Sequence, residues 1–203
     1  MSEAHFKLGD ILYGIILPCI VAFIIVALPN YLGPSLDPTL KAIFVDGFGE
    51  AILIIAIPML LGLLWNQWAG GSSGFILGGV YALYVNDTFV AAGVYTDVVS
   101  VGGMAGDISN LGYVLCAMLT GYIAGALNKG SFNFKRMLAA GLVGGIIGGI
   151  FLLWTQLISP FGMVTDISYS LFITLLPRII YGVIIPLIAK VFSWYGITPR
   201  RMS

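Results

Sequence analysis

Long apolar runs, broken by short connections rich in Gly, Pro and polar residues, dominate the chain from Gly9 to Trp194. All but one of the main runs approach or exceed the roughly 20 residues that a helix needs to cross a bilayer. The pattern predicts an all-α fold, a polytopic membrane domain of about six transmembrane helices over residues 9–28, 47–65, 74–85, 111–127, 137–158 and 169–194. The first closes at Pro29. Residues 30–46, with Pro34, Asp37, Pro38 and Lys41, read as an exposed connection, and the third helix begins inside the Gly-rich GGSSGFILGG. From Asn86 to Asn110 the chain turns to Gly, Asp, Ser and Thr, its longest loop-like stretch.

Composition sharpens this reading. Of 203 residues, 59% are hydrophobic and 9% charged. A soluble domain is about one-quarter charged, so an ordinary cytosolic enzyme, a disordered segment and a disulfide scaffold are excluded. Length leaves no room for a second, soluble domain. The apolar run after MSEAHFKLGD is too long for a typical signal-peptide core and is expected to stay as a mature helix.

Charge then gives an orientation. Nine Lys and Arg balance nine Asp and Glu, with no basic tract that would suit nucleic acid. With six spans, Lys7, Lys129, Lys135, Arg136, Lys190, Arg200 and Arg201 fall on the face of the termini, and Lys41 on the other. By the positive-inside rule both termini are expected in the cytoplasm. Trp65, Trp68 and Trp194 then belong near the inner interface and Trp154 near the outer one. The acids run the other way. Asp37, Asp46, Glu50, Asp87, Asp97, Asp107 and Asp166 belong to the outer half, and Glu3 and Asp10 to the inner.

Candidate chemistry is sparse. Arg178 lies about eight residues, or roughly 12 Å, into the sixth span, where an Arg costs at least a few kcal/mol and must face protein or water. Pro177 before it disturbs the helix and frees a carbonyl. Two readings stand together: an internal pair with Glu50, at similar depth, and a cavity in which Arg178 meets a ligand. Tyr81, Tyr84, Asn86 and Asp87 at the end of the third span reach the same depth. So do Asn110 and Tyr113 on the fourth, and Trp154, Thr155 and Gln156 on the fifth. Each could be an interface anchor; together they suggest a small-molecule site open to the outside.

Catalysis and cofactors find no support. The single histidine, His5, leaves no Ser/His/Asp set and no ligand set for haem or multi-histidine metal chemistry. GGSSG lacks the Lys and the preceding strand of a phosphate loop. Cys19 and Cys116 lie in apolar runs and read as small core residues. No enzyme and no cofactor is expected. The 27 glycines include pairs four apart, Gly74/Gly78, Gly121/Gly125, Gly141/Gly145, Gly144/Gly148 and Gly145/Gly149. Such spacing brings helix backbones close in a bilayer, either within this chain or against another subunit.

The order of these features resembles the substrate-binding S-components of energy-coupling factor (ECF) vitamin transporters. It is carried by GGSSGFILGGVYALYV with the long outer loop behind it, by LTGYIAGALNKGSFNFKR, and by LLPRIIYGVIIPLIAKV. The resemblance implies a six-helix binding subunit in the cell membrane, without its own energy source. A transmembrane coupling subunit and two cytoplasmic ATPases would drive it. It also implies a ligand held near the outer face by the loop between helices three and four and by helices four to six. The candidate contacts are Arg178, Glu50, Asp87, Asp97, Asp107, Asn110, Tyr113, Trp154 and Gln156, with residues 90–109 closing over the ligand. The outer excess of acids suits a substrate with positive charge, such as a thiamine-like or amine compound. Two other readings fit the composition: a non-catalytic structural subunit of a larger membrane complex, and a small channel or ion-coupled carrier.

Overall fold

A computed structural model of the chain describes residues 8–27, 43–91, 108–159 and 166–195. Those residues are helical throughout, apart from short turns. We number the helical stretches α1 (residues 8–27), α2 (residues 43–64), α3 (Gln67–Ala91), α4 (Ile108–Asn128), α5 (Phe134–Leu157) and α6 (Ile167–Trp194). Among the described residues, α4, α5 and α6 are long and apolar enough to cross a membrane, and Leu12–Ile25 and Gly49–Leu64 form shorter apolar helices. This is the architecture of a helical membrane protein.

The long helices differ from expectation mainly at their ends. α3 extends on both sides of the expected 74–85, because Trp68 to Ser73 stays helical despite its small residues. Ser72 and Ser73 close their hydroxyls onto the carbonyls of Trp68 and Gly70, so neither presents an unsatisfied donor to an apolar surrounding. The expected loop over 86–110 is helical at both edges, to Ala91 and from Ile108; the part between lies outside the described residues. α6 begins two residues earlier than expected because Asp166 caps it, its carboxylate accepting from the Ser168 and Tyr169 amides. Asn133 caps α5 in the same way, accepting from the Lys135 amide.

α1 and α2 depart from regular α geometry on either side of their prolines. A proline has no N–H for the carbonyl four residues back and its ring crowds that carbonyl, which loosens the turn before it. In α1 the turns Leu12–Ile16 and Phe23–Ala27 are wound as π-helix on either side of the α-helical Leu17–Ala22, which carries Pro18. In α2 the wide winding covers Ile43–Ala56 and reverts at Ile57–Leu64, which carries Pro58. Glu50 therefore projects from a widened turn. Such turns frequently accompany functional sites.

Glycine decides how the long helices pack. A Cβ placed on Gly70 or Gly74 of α3 would run into the α4 backbone at Gly121 or Ala117, and one on Gly121 would run into Gly70. α5 carries two stripes facing opposite ways. Gly144 and Gly148 abut the Thr120 and Cys116 carbonyls of α4, each 2.8 Å from where a Cβ would stand. Gly141 and Gly145 abut the Gly182 and Arg178 carbonyls of α6, each at 2.9 Å. α5 is thus held between α4 and α6 by backbone contact, the mode that replaces the hydrophobic drive in lipid. The described glycine pairs serve packing within this chain.

Two tight turns mark one end of the bundle. At the α2–α3 turn Trp65 stacks on Tyr13 at 4.3 Å. The α4–α5 turn reverses through Lys129 and Gly130, both in the left-handed region at φ 49° and 67°; a side chain is tolerated there at a cost that Gly130 avoids. Asn128, fully buried, donates from its amide to the Leu63 carbonyl at 2.9 Å and ties the two turns together. Lys190 donates to the Phe132 carbonyl and Arg136 to that of Leu127, so this end is basic. The opposite end contains the cavity.

Candidate functional site

At the end of the bundle away from the tight turns, α2, α4, α5 and α6 surround a cavity of about 460 Å³. That lies within the range of small-molecule sites, roughly 300–1,000 Å³. α2 contributes Glu50, Ala51 and Ile55; α4 contributes Tyr113; α5 contributes Leu152 and Gln156. α6 supplies the largest share, from Tyr169 and Ser170 through Thr174 and Arg178 to Tyr181.

Arg178 organises the wall. Helical side chains lean toward their own N-terminus, so a residue about eleven positions, or roughly 17 Å, into α6 sends its guanidinium back toward the cavity end. It is 2% exposed and is met by acceptors in three directions. Nη2 donates to Glu50 Oε1 at 2.8 Å, Nη1 to the Thr174 carbonyl at 2.6 Å, and Nε to the Cys116 sulfur at 3.4 Å. Room for the side chain comes from Gly149: a Cβ there would lie 2.6 Å from Arg178 Cδ and 2.8 Å from Leu175. A charge taken out of water is tolerable when its donors are met by an opposite charge and further hydrogen bonds. The ion pair expected from sequence is present.

The pair is lopsided. Glu50 is 35% exposed, so one carboxylate faces the cavity while its cationic partner is sealed behind it. Pro177 and Ile173 also border the cavity. Because Pro177 has no N–H, the Ile173 carbonyl loses its normal helical donor at the wall. Tyr113, Tyr169 and Tyr181 supply the aromatic surface, Gln156 and Ser170 the polar groups. Tyr113 packs edge to face on the buried Tyr81 at 5.2 Å, which holds that side of the wall.

Of the sequence-expected site residues, the structure brings together Arg178, Glu50, Tyr113 and Gln156. Asn110 is buried in the first turn of α4 and does not border the cavity. Trp154 is also not at the cavity: it sits on α5 with half its surface exposed, edge to face with Phe151 at 6.3 Å. It takes the outward face because Leu152, Leu153 and Thr155 take the inward positions. Asp87 lies in the last turns of α3, its side chain outside the described residues; Asp97, Asp107 and most of residues 90–109 lie outside them altogether. Tyr169, Ser170, Thr174 and Tyr181 were missed. A signal for them existed, since Ser170, Thr174 and Arg178 are spaced by four and form one polar stripe on an otherwise apolar helix.

Among the described residues, no three His, Cys, Asp or Glu side chains come together as metal ligands would. The arrangement offers a partly open carboxylate, carbonyls and phenol rings around a space of ligand size. No family model, no curated protein and no solved structure matches the chain.

Proposed function

We propose that the chain is the membrane-embedded substrate-binding subunit of a small-molecule uptake transporter, resembling the S-components of ECF vitamin transporters. The observation that carries this reading is the cavity built around Arg178 and Glu50 at one end of the bundle. In this reading six helices cross the cell membrane, both termini are cytoplasmic, and the cavity opens outward. The basic end with Lys129, Lys135, Arg136 and Lys190 then faces the cytoplasm, as the positive-inside rule requires. A transmembrane coupling subunit and cytoplasmic ATPases would supply energy. The apolar faces of α1 (Ile11, Ile15, Phe23) and α6 (Phe172, Ile179, Leu187), exposed in the isolated chain, are available to lipid and to such a subunit.

The test is thermal unfolding of the purified chain in detergent against a panel of vitamins, amines and nucleobases. A ligand at a hundred times its Kd adds about 2.7 kcal/mol, enough to shift the midpoint visibly. A saturable hit supports a binding subunit and names its substrate class. A stable protein indifferent to the whole panel counts against the reading.

A further inference from the structure

Resting on the binding-subunit reading, we propose that the cavity selects an organic cation, a ligand with a protonated amine on an aromatic or apolar body. The ammonium would donate to Glu50 and to the Ile173 carbonyl.

Three observations point to this class. First, the charge that the wall presents to the cavity is negative. The guanidinium of Arg178 is 2% exposed and turned onto Glu50, Thr174 and Cys116, so it offers little to an incoming anion, whereas Glu50 is 35% exposed. Secondly, the carbonyl released by Pro177 lies between Ile173 and Pro177, both of which border the cavity. A carboxylate and a helical carbonyl one residue before the Thr174–Arg178 contact form a two-acceptor seat for an N–H donor. Thirdly, Tyr113, Tyr169 and Tyr181 border the same space, and phenol faces attract cations as well as apolar bodies. Charge agrees. The described charged groups at this end are Glu50, Arg178 and Asp166, which caps α6 one turn from Ser170, so acids outnumber bases by two to one.

A charge series on one skeleton tests the proposal on the unmodified protein. The probes are 2-phenylethylamine, 2-phenylethanol and 3-phenylpropionate, each titrated against the unfolding midpoint in detergent at neutral pH. The expected result is a saturable upward shift with the amine and little or none with the alcohol or the acid. An equal or larger shift with the acid overturns the cation assignment while leaving a binding cavity, and so does an equal shift with the alcohol. Silence of all three overturns the assignment as well, and silence of the wider vitamin, amine and nucleobase panel then sinks the binding-subunit reading with it.

The double variant Glu50→Gln/Arg178→Met removes the carboxylate without stranding a buried cation. If it folds, the amine shift is expected to vanish, and its persistence would count against the seat. If it does not fold, the charge series decides alone.

Discussion

Arg178 and the residues around it set the terms at the smallest scale. A buried pair is worth little against a well-packed apolar substitute, but removing one partner leaves the other charged and unpaired, at roughly 3–5 kcal/mol. Glu50→Gln is therefore expected to lower stability more than Glu50→Gln/Arg178→Met, a non-additivity that a double-mutant cycle of unfolding midpoints would read directly. Gly149→Ala places a methyl 2.6 Å from Arg178 Cδ and should cost about 1–3 kcal/mol as overpacking. Gly79→Ala, on α3, meets nothing within 4 Å and is expected to leave the midpoint unchanged. The contrast separates packing from a general intolerance of alanine.

At the scale of the element, proline shapes the site. Pro177 strips one hydrogen bond from α6 where the helix borders the cavity, and Pro58 closes the wide winding from which Glu50 projects. Pro177→Ala restores a backbone donor to Ile173. The expected outcome is equal or higher thermal stability together with a weaker shift by 2-phenylethylamine, measured on the same preparation. The apolar helices, the Arg178–Glu50 pair and the glycine spacing were legible in the sequence because each follows from local rules: length of an apolar run, the cost of a charge in it, and a repeat of four. The wide winding of α2 was not, since Pro58 loosens a single turn and the winding covers fourteen residues. Trp154 and Asn110 lie off the cavity wall for a related reason. Depth along the bundle can be counted from sequence, but the face on which a residue sits requires knowing which neighbours the helix has. The Ser170–Thr174–Arg178 stripe carried that information for α6.

For the molecule as a whole, the consistent polarity of its ends is the main constraint. One end has the tight turns, the basic side chains and the exposed Trp68 and Trp194; the other has the cavity, the acidic cap Asp166 and Trp154. The proposed orientation predicts that, in a Cys19→Ala background, a cysteine at Thr39 reacts with an impermeant maleimide in intact cells. One at Ser203 is expected to react only after permeabilisation. The reverse pattern would place the cavity on the cytoplasmic side and remove uptake from the outside as its use. Cys116 is fully buried beside Arg178 and is expected to stay unlabelled in both.

The glycine stripe of α5 also acts as a ruler. Gly145 meets the backbone at Arg178 itself, and Gly141 meets it one turn further along α6. A slip of one residue would bring Leu142 or Ile146 against those carbonyls, so the stripe permits only registers separated by its own repeat. At 1.5 Å per residue that repeat is about 6 Å, a fifth of a hydrocarbon core roughly 30 Å thick. The depth at which this protein carries its sealed cation is therefore written not in the helix that bears the charge but in the missing side chains of its neighbour.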